Sequence, residues 1–312
     1  MAKAIIPANF TISNMICAAD SSSEFSPNSV YSLGQSVQVA SENSVYKSLI
    51  NNNTAGSTPS VNIANSLLGI ETKRWVKDGA TNPSRLTDDF LHSQTVGDKN
   101  INNGSISFDV SVDSIDAFAL LNIEADTIEM KYIANDGVTI LKQQTKDLII
   151  NSDLDMVDYI FNETDKLKNN YLVYLPRTYL ATVQISLRKQ IGVAKVGIVL
   201  CGKTLNIGHS KWQIETPKKN YGKRIDDEFG ISTFITGKKA KTMKVDCLIP
   251  SAEFSIINRQ LDDLLDSPTL FLGDALEDGQ EATWVYGNLK SALPILDNDT
   301  TSRVLLKING LI

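Results

Sequence analysis

Residues 193–208 read VAKVGIVLCGKTLNIG, and the fold turns on whether this stretch is a loop or a strand. Within it, Gly197, Gly202, Lys203 and Thr204 satisfy G-x-x-x-x-G-K-[ST], the spacing of a phosphate-cradling loop. That chemistry needs four loop residues whose backbone N–H groups stay free for phosphate, and a helix directly behind them. Here the four residues are Ile198, Val199, Leu200 and Cys201, which favour a strand. A strand spends its N–H groups on its ladder. The residues that follow, LNIGHSKW, carry Gly208 and no helical apolar stripe. The stretch reads as a core strand ending in a turn, which makes this a β protein and predicts no nucleotide cofactor.

Working outward, the same texture recurs on both sides. SISFDVSVDSI (105–115), AFALLNIEADTIEMKYIA (117–134), VTILKQQTKDLII (138–150) and YLVYLPRTYLATVQISL (171–187) read as strands. Asn135 to Gly137 form a hairpin turn. Residues 150–170 are acidic and polar, a loop or a short helix. Downstream, GISTFITG (230–237), KTMKVDCLI (241–249), TLFLGD (269–274), ATWVYGNL (282–289) and RVLLKINGLI (303–312) continue as strands. One clear helix is expected at about 251–266, where Phe254, Ile257, Leu261, Leu264 and Leu265 form one stripe and Pro268 marks the stop.

Nearer the N-terminus, VYSLGQSVQVASENSVYKSLI (30–50) reads as a hairpin turning at 41–44, followed by a loop, NNNTAGSTPS (51–60). A short strand then ends near Trp75. Residues 1–29 are Ser/Asn-rich and read as an arm that must pack on something else, such as an adjacent subunit. The expected architecture is mainly β, a small N-terminal β-module followed by β-sandwich/β-barrel domains with one short helix. Its divisions are an arm (1–29), the small module (30–97), a β-sandwich (98–205) and a β-barrel-like domain carrying the helix (206–312).

Composition removes several function classes. The 312 residues are 42% hydrophobic and 21% charged, with mean hydropathy −0.10, and no run approaches the ~18 apolar residues of a membrane span. The opening MAKAIIPANFTISN lacks a signal-peptide apolar core, so neither export nor membrane insertion is expected. Three cysteines without paired spacing give no disulfide framework, and Cys201 and Cys247 sit in apolar runs as small buried hydrophobes. His92 and His209 stand in no ligand-spaced motif, so no metal is expected. G-x-S-x-G, H-E-x-x-H and CxxC are absent. The adjacent acids Asp88–Asp89, Asp226–Asp227 and Asp262–Asp263 do not by themselves make an acid/base pair. No enzyme activity is expected.

Net charge is −6, unevenly spread. Residues 203–244 hold 10 basic and 4 acidic groups, net +6, whereas residues 245–312 hold 4 and 11, net −7. The basic belt comprises Lys218, Lys219, Lys223, Arg224, Lys238, Lys239 and Lys241. A belt of this kind can meet DNA or an acidic patch on a neighbouring copy. Its few aromatics give bases little to stack on, so the expected partner is another copy rather than nucleic acid. In the small module, Tyr31, Tyr46 and Trp75 are candidates for a glycan-stacking or docking face. The competing reading is that so small a unit needs its aromatics for its own core.

The residues Tyr31, Gly34, Val37, Tyr46, Gly56, Pro59 and Trp75 resemble the small chitin-binding type of carbohydrate-binding module. RWVKDGATNPSRLTDDF (74–90) resembles a W-x-x-x-G-x-T-N-R-W-x-M-F-D signature of bacteriophage tail and virion structural proteins. Pro83-Ser84 stands where that signature has Arg-Trp, with Arg85 displaced. The likeness runs on through VGIVLCGKTLNIG, YGKRIDDEFG, FITGKKAKTMKVD and ATWVYGNLKSALPI to LLKINGLI, and so spans roughly 30–312. It implies a structural protein of a bacteriophage tail, present in several copies as a ring, sheath or sleeve around the tail tube. Its partners would be further copies of itself and tail-tube or adaptor proteins. It would be assembled in the host cytoplasm and located in the virion tail. The alternative within the same resemblance is a host-surface adhesin whose module binds a cell-surface glycan.

Overall fold

A computed structural model describes the chain except for residues 55, 151–165, 212, 227–231, 266, 275–279 and 312. The acidic segment expected as a loop or short helix at 150–170 therefore lies mostly outside the described residues, as does part of YGKRIDDEFG. The protein is mainly β, with 52% of residues in strands.

The strand Ile198–Ser210 holds most of the decisive stretch and organises the body. Its first half pairs with Ala117–Leu121, which in turn pairs with Asn170–Tyr174. These form one wall of a β-sandwich. The other wall is a five-stranded sheet ordered Ile140–Asp147, Thr127–Ala134, Ala181–Arg188, Ile106–Val112 and Phe10–Ile16. Alternation sets the inward face, with Ile106, Phe108, Val110 and Val112 buried and Ser107, Asp109 and Ser111 turned outward. Ala117–Leu121 is buried on both faces. Phe118 and Leu120 enter the sandwich core, and Ala117, Ala119 and Leu121 enter a separate cluster with Ile5, Leu270 and Tyr286. This is why its sequence is an unbroken apolar run.

The second half of Ile198–Ser210 belongs to a closed barrel. Going round, it pairs with Ala2–Pro7, then Thr269–Leu272, Trp284–Ile295, Thr301–Gly310 and Lys239–Pro250. The ring closes where His209 and Ser210 meet Leu248 and Cys247. The helix Phe254–Asp263, entered through a 3-10 turn at Ser251–Glu253, sends Ile257 and Leu261 into the barrel core with Phe271, Val304 and Leu306. Closure leaves these strands no free ladder edge. Cys201 and Cys247 are both buried, and burial pushes the Cys247 thiol up to about 12.

Three expectations need correction. Residues 1–29 are not a free arm. Ala2–Pro7 is paired on both edges inside the barrel sheet, and Phe10–Ile16 forms an edge of the sandwich. The polar stretch after residue 9 hid the AKAIIP run, whose small alanines fit a tightly paired strand, with Ala2 and Ala4 in the barrel core. The division expected at 205/206 falls inside one continuous strand, so sandwich and barrel share a wall. Finally, the segment expected as a loop at 51–60 ends in a helix, Pro59–Leu67. Pro59 pre-sets its first turn. Buried Asn62 holds it by donating to Glu71 and to the Thr72 carbonyl, and by accepting from the Arg74 N–H.

Candidate assembly surface

The P-loop-like stretch is a strand, and its spacing has a packing cause. A Cβ at Gly202 would lie 2.1 Å from the Ile6 carbonyl oxygen, and one at Gly197 would lie 2.9 Å from that of Leu121. Both glycines thus stand where a neighbouring backbone passes too close for a side chain. Lys203 is exposed on this strand. The Thr204 N–H and hydroxyl donate to Asp116 at 2.6 and 2.8 Å, and Arg177 Nη2 donates to the other oxygen at 2.7 Å. Burial opposes ionisation of Asp116, but the bonds from Arg177 and Thr204 prevail and hold its carboxyl below the usual range. The threonine of the motif therefore positions a carboxylate that ties the sandwich to the shared strand.

The aromatic candidates do not form a face. Trp75, Tyr31 and Tyr46 are 1%, 3% and 4% exposed and make up the module's core with Val37 and Val39, packed by Phe25 and Ile63. Tyr31 and Trp75 meet edge to face with centroids 5.2 Å apart. The Tyr31 hydroxyl donates to the Ser26 carbonyl and accepts from the Ser26 N–H. The Tyr46 hydroxyl donates to Glu42 at 2.5 Å, and burial together with that carboxylate pushes it up to about 12. The rings are used up within the sheet of Ser23–Glu24, Ser36–Val39, Ser44–Ser48 and Trp75–Ala80.

Thr81-Asn82, within the 74–90 stretch, is a latch between module and body. The Asn82 side chain donates to the Ala18 and Val96 carbonyls and accepts from the Val96 N–H. Its own N–H donates to Asp20, and its carbonyl accepts from Thr95 Oγ1. Leu86, a few residues on, is fully buried in the sandwich core. Spacing alone does not reveal this role of Thr81 and Asn82; an Asn followed by Pro between two apolar segments is the signal the sequence offers.

The basic belt becomes a two-stranded ribbon running off the barrel. Lys218–Asn220 pairs with the start of Lys239–Pro250, placing Lys218 opposite Lys241. Beyond a neck at Gly222 and Gly237, Lys223–Asp226 pairs with Ser232–Ile235. A Cβ on Gly237 would lie 2.1 Å from the Gly222 nitrogen, so the neck demands glycine. No described residue in 218–226 or 232–239 is buried. The cross-strand pairs put Ile225 and Ile235 on one face with Lys223, and Phe234 on the other with Arg224. Phe234 is 74% exposed, and the Arg224 guanidinium lies 5.8 Å from its ring centre.

Six of the seven belt cations are exposed here: Lys218, Lys219, Lys223, Arg224, Lys238 and Lys239. Arg224 meets Asp226 at 2.8 Å, and Lys238 Nζ lies 2.5 Å from His92 Nε2. Lys241 departs from the expectation. It is half-buried and donates to the Trp284 carbonyl at 3.0 Å, with burial and then the Lys218 charge lowering its pKa. It braces the root of the ribbon rather than offering charge outward. The exposed apolar set, Tyr221, Ile225, Phe234 and Ile235, escaped the reading of the belt as purely electrostatic. Their alternation with charge, in a segment flanked by two glycines, was the signal.

No family model, no curated protein and no solved structure matches this chain. Among the described residues, no cluster of three or more His, Cys, Asp or Glu is placed to hold a metal, and no helix is long and apolar enough to cross a membrane.

Proposed function

We propose that this chain is a structural subunit of a bacteriophage tail, present in many copies and acting by assembly rather than catalysis. The observation that carries the assembly reading is the ribbon at 218–241. It holds out large apolar side chains and a concentrated positive charge, and among its described residues from 218 to 239 none is buried. Exposed apolar surface mixed with one sign of charge marks a surface meant for a partner. The tail assignment rests on the ordered likeness of residues 30–312 to virion proteins. A glycan-binding adhesin loses its support, because Tyr31, Tyr46 and Trp75 are spent in the module's core.

The test is to purify particles, identify the chain by mass spectrometry and count copies by cryo-electron microscopy. The expected result is symmetric multicopy density in the tail. Absence from particles, or a monomer with full biological activity, would overturn the reading.

A further inference from the structure

The barrel carries two unlike ends, joined by one strand. Lys239–Pro250 has the ribbon at its first residues and leads through Ser251–Glu253 into the helix Phe254–Asp263 at its last. Its 12 residues span roughly 36 to 40 Å at the usual rise per residue. The helical end has the opposite charge. Glu253, Asp262 and Asp263 are exposed on the helix and its entry turn, and Asp299 is exposed in the neighbouring turn between Trp284–Ile295 and Thr301–Gly310; these four carboxylates outnumber the exposed cation of the helix, Arg259. The Ser251 N–H donates to the Thr300 carbonyl, which holds that turn against the helix entry.

The helical end also exposes apolar side chains. Ile256, Leu293 and Leu296 are 60%, 56% and 65% exposed there. The two ends therefore match in kind, cations with apolar residues at one and carboxylates with apolar residues at the other. A contact of ribbon on ribbon would set like charges together, which costs free energy. One chain cannot join its own ends across the length of that strand.

We propose that the ribbon of one copy seats on the helical end of a second copy, joining copies head to tail. The ribbon enters edge-on, so that Ile225 and Ile235 from one face and Phe234 from the other meet Ile256, Leu293 and Leu296, with Lys223, Arg224 and Lys239 facing Asp262, Asp263 and Asp299. Because the two surfaces differ, each joined pair keeps one free ribbon and one free helical end. The contact propagates and gives a ring where the rotation closes or a stack where it does not. This rests on the multicopy reading above and adds the partner and the polarity.

The experiment uses the full chain in two charge-reversed forms. One is Lys223→Glu with Arg224→Glu; the other is Asp262→Lys with Asp263→Lys. All four sites are exposed, and circular dichroism checks the fold. In sedimentation at low salt, wild type should self-associate and each variant alone should associate at least about tenfold more weakly. An equimolar mixture should regain association, since the acidic ribbon of the first fits the basic helical end of the second and the reverse pair also fits. Carbodiimide cross-linking of wild type should join Lys223 or Lys239 to Asp262, Asp263 or Asp299 between copies.

A wild type that stays monomeric without such cross-links, or a mixture that fails to recover, overturns the head-to-tail contact. Cross-links joining the ribbon only to another tail protein would overturn it equally. In either case, multicopy density in particles would leave the tail assignment standing. Head-to-tail association by a chain absent from particles would do the reverse.

Discussion

Two small β excursions leave the body of this protein, and they treat their aromatic residues in opposite ways. The module of strands Ser23–Glu24 to Trp75–Ala80 turns Tyr31, Tyr46 and Trp75 inward and closes on them. The ribbon at 218–241 turns Tyr221 and Phe234 outward, and its described residues enclose no core of their own. Both carry exposed lysines and short antiparallel pairs, so composition hardly separates them. The module has a helix, Pro59–Leu67, and a four-stranded sheet to enclose a core, whereas the ribbon has two strands and no covering layer. A two-stranded hairpin is marginal in water by itself. The module is stable through its own burial, and the ribbon gains burial from a partner.

The sharpest way to break this contrast is to remove the module's central ring. Trp75→Ala should destabilise the module by about 3–5 kcal/mol, the usual cost of emptying a buried aromatic site. Limited proteolysis should then cut within 23–80 while the sandwich and barrel stay resistant. Intact resistance of the module would show that its rings are not its core.

Asp116 is an intermediate case, a carboxylate between sandwich and shared strand. Its folded pKa lies below the unfolded value, so its contribution is present above the unfolded pKa, near 3.9, and is lost as pH falls through the folded pKa. Asp116→Asn should cost about 1–2 kcal/mol near neutral pH, because it weakens the bonds from Arg177 and Thr204. The difference from wild type should shrink below about pH 4, measured by urea unfolding across pH. A pH-independent difference would sink this account of the carboxylate.

The smallest stability effect belongs to the ribbon. Phe234→Ser should change unfolding free energy by no more than about 0.5 kcal/mol, as expected for an exposed side chain that meets only the Arg224 guanidinium among the described residues. The same variant should clearly weaken self-association. A loss of stability matching that of Trp75→Ala would show that the ribbon packs on its own chain.

The β class was legible because alternation is local: Ile106, Phe108, Val110 and Val112 announce one buried face from neighbouring residues alone. The strand at 198–210 was legible for the same reason, despite its P-loop spacing. Barrel closure was not. It depends on Ala2–Pro7 pairing with residues some 200 and 270 positions away, and nothing in AKAIIP encodes those partners. The inward turn of Tyr31, Tyr46 and Trp75 was only half legible, since the same rings suit a core or a sugar face until the covering layer is known. The outward turn of Phe234 was missed, because a strand that has no sheet to join looks in sequence like any other strand.

Hydrogen–deuterium exchange, comparing the isolated chain with the chain in purified particles, tests the central claim most directly. The amides of 223–226 and 232–235 should exchange rapidly in the isolated chain and slow by about a hundredfold or more on assembly. Those of Trp75–Ala80 and Ile106–Val112 should be slow in both. Ribbon amides that exchange equally fast in both states, with new protection appearing only elsewhere, would contradict the account.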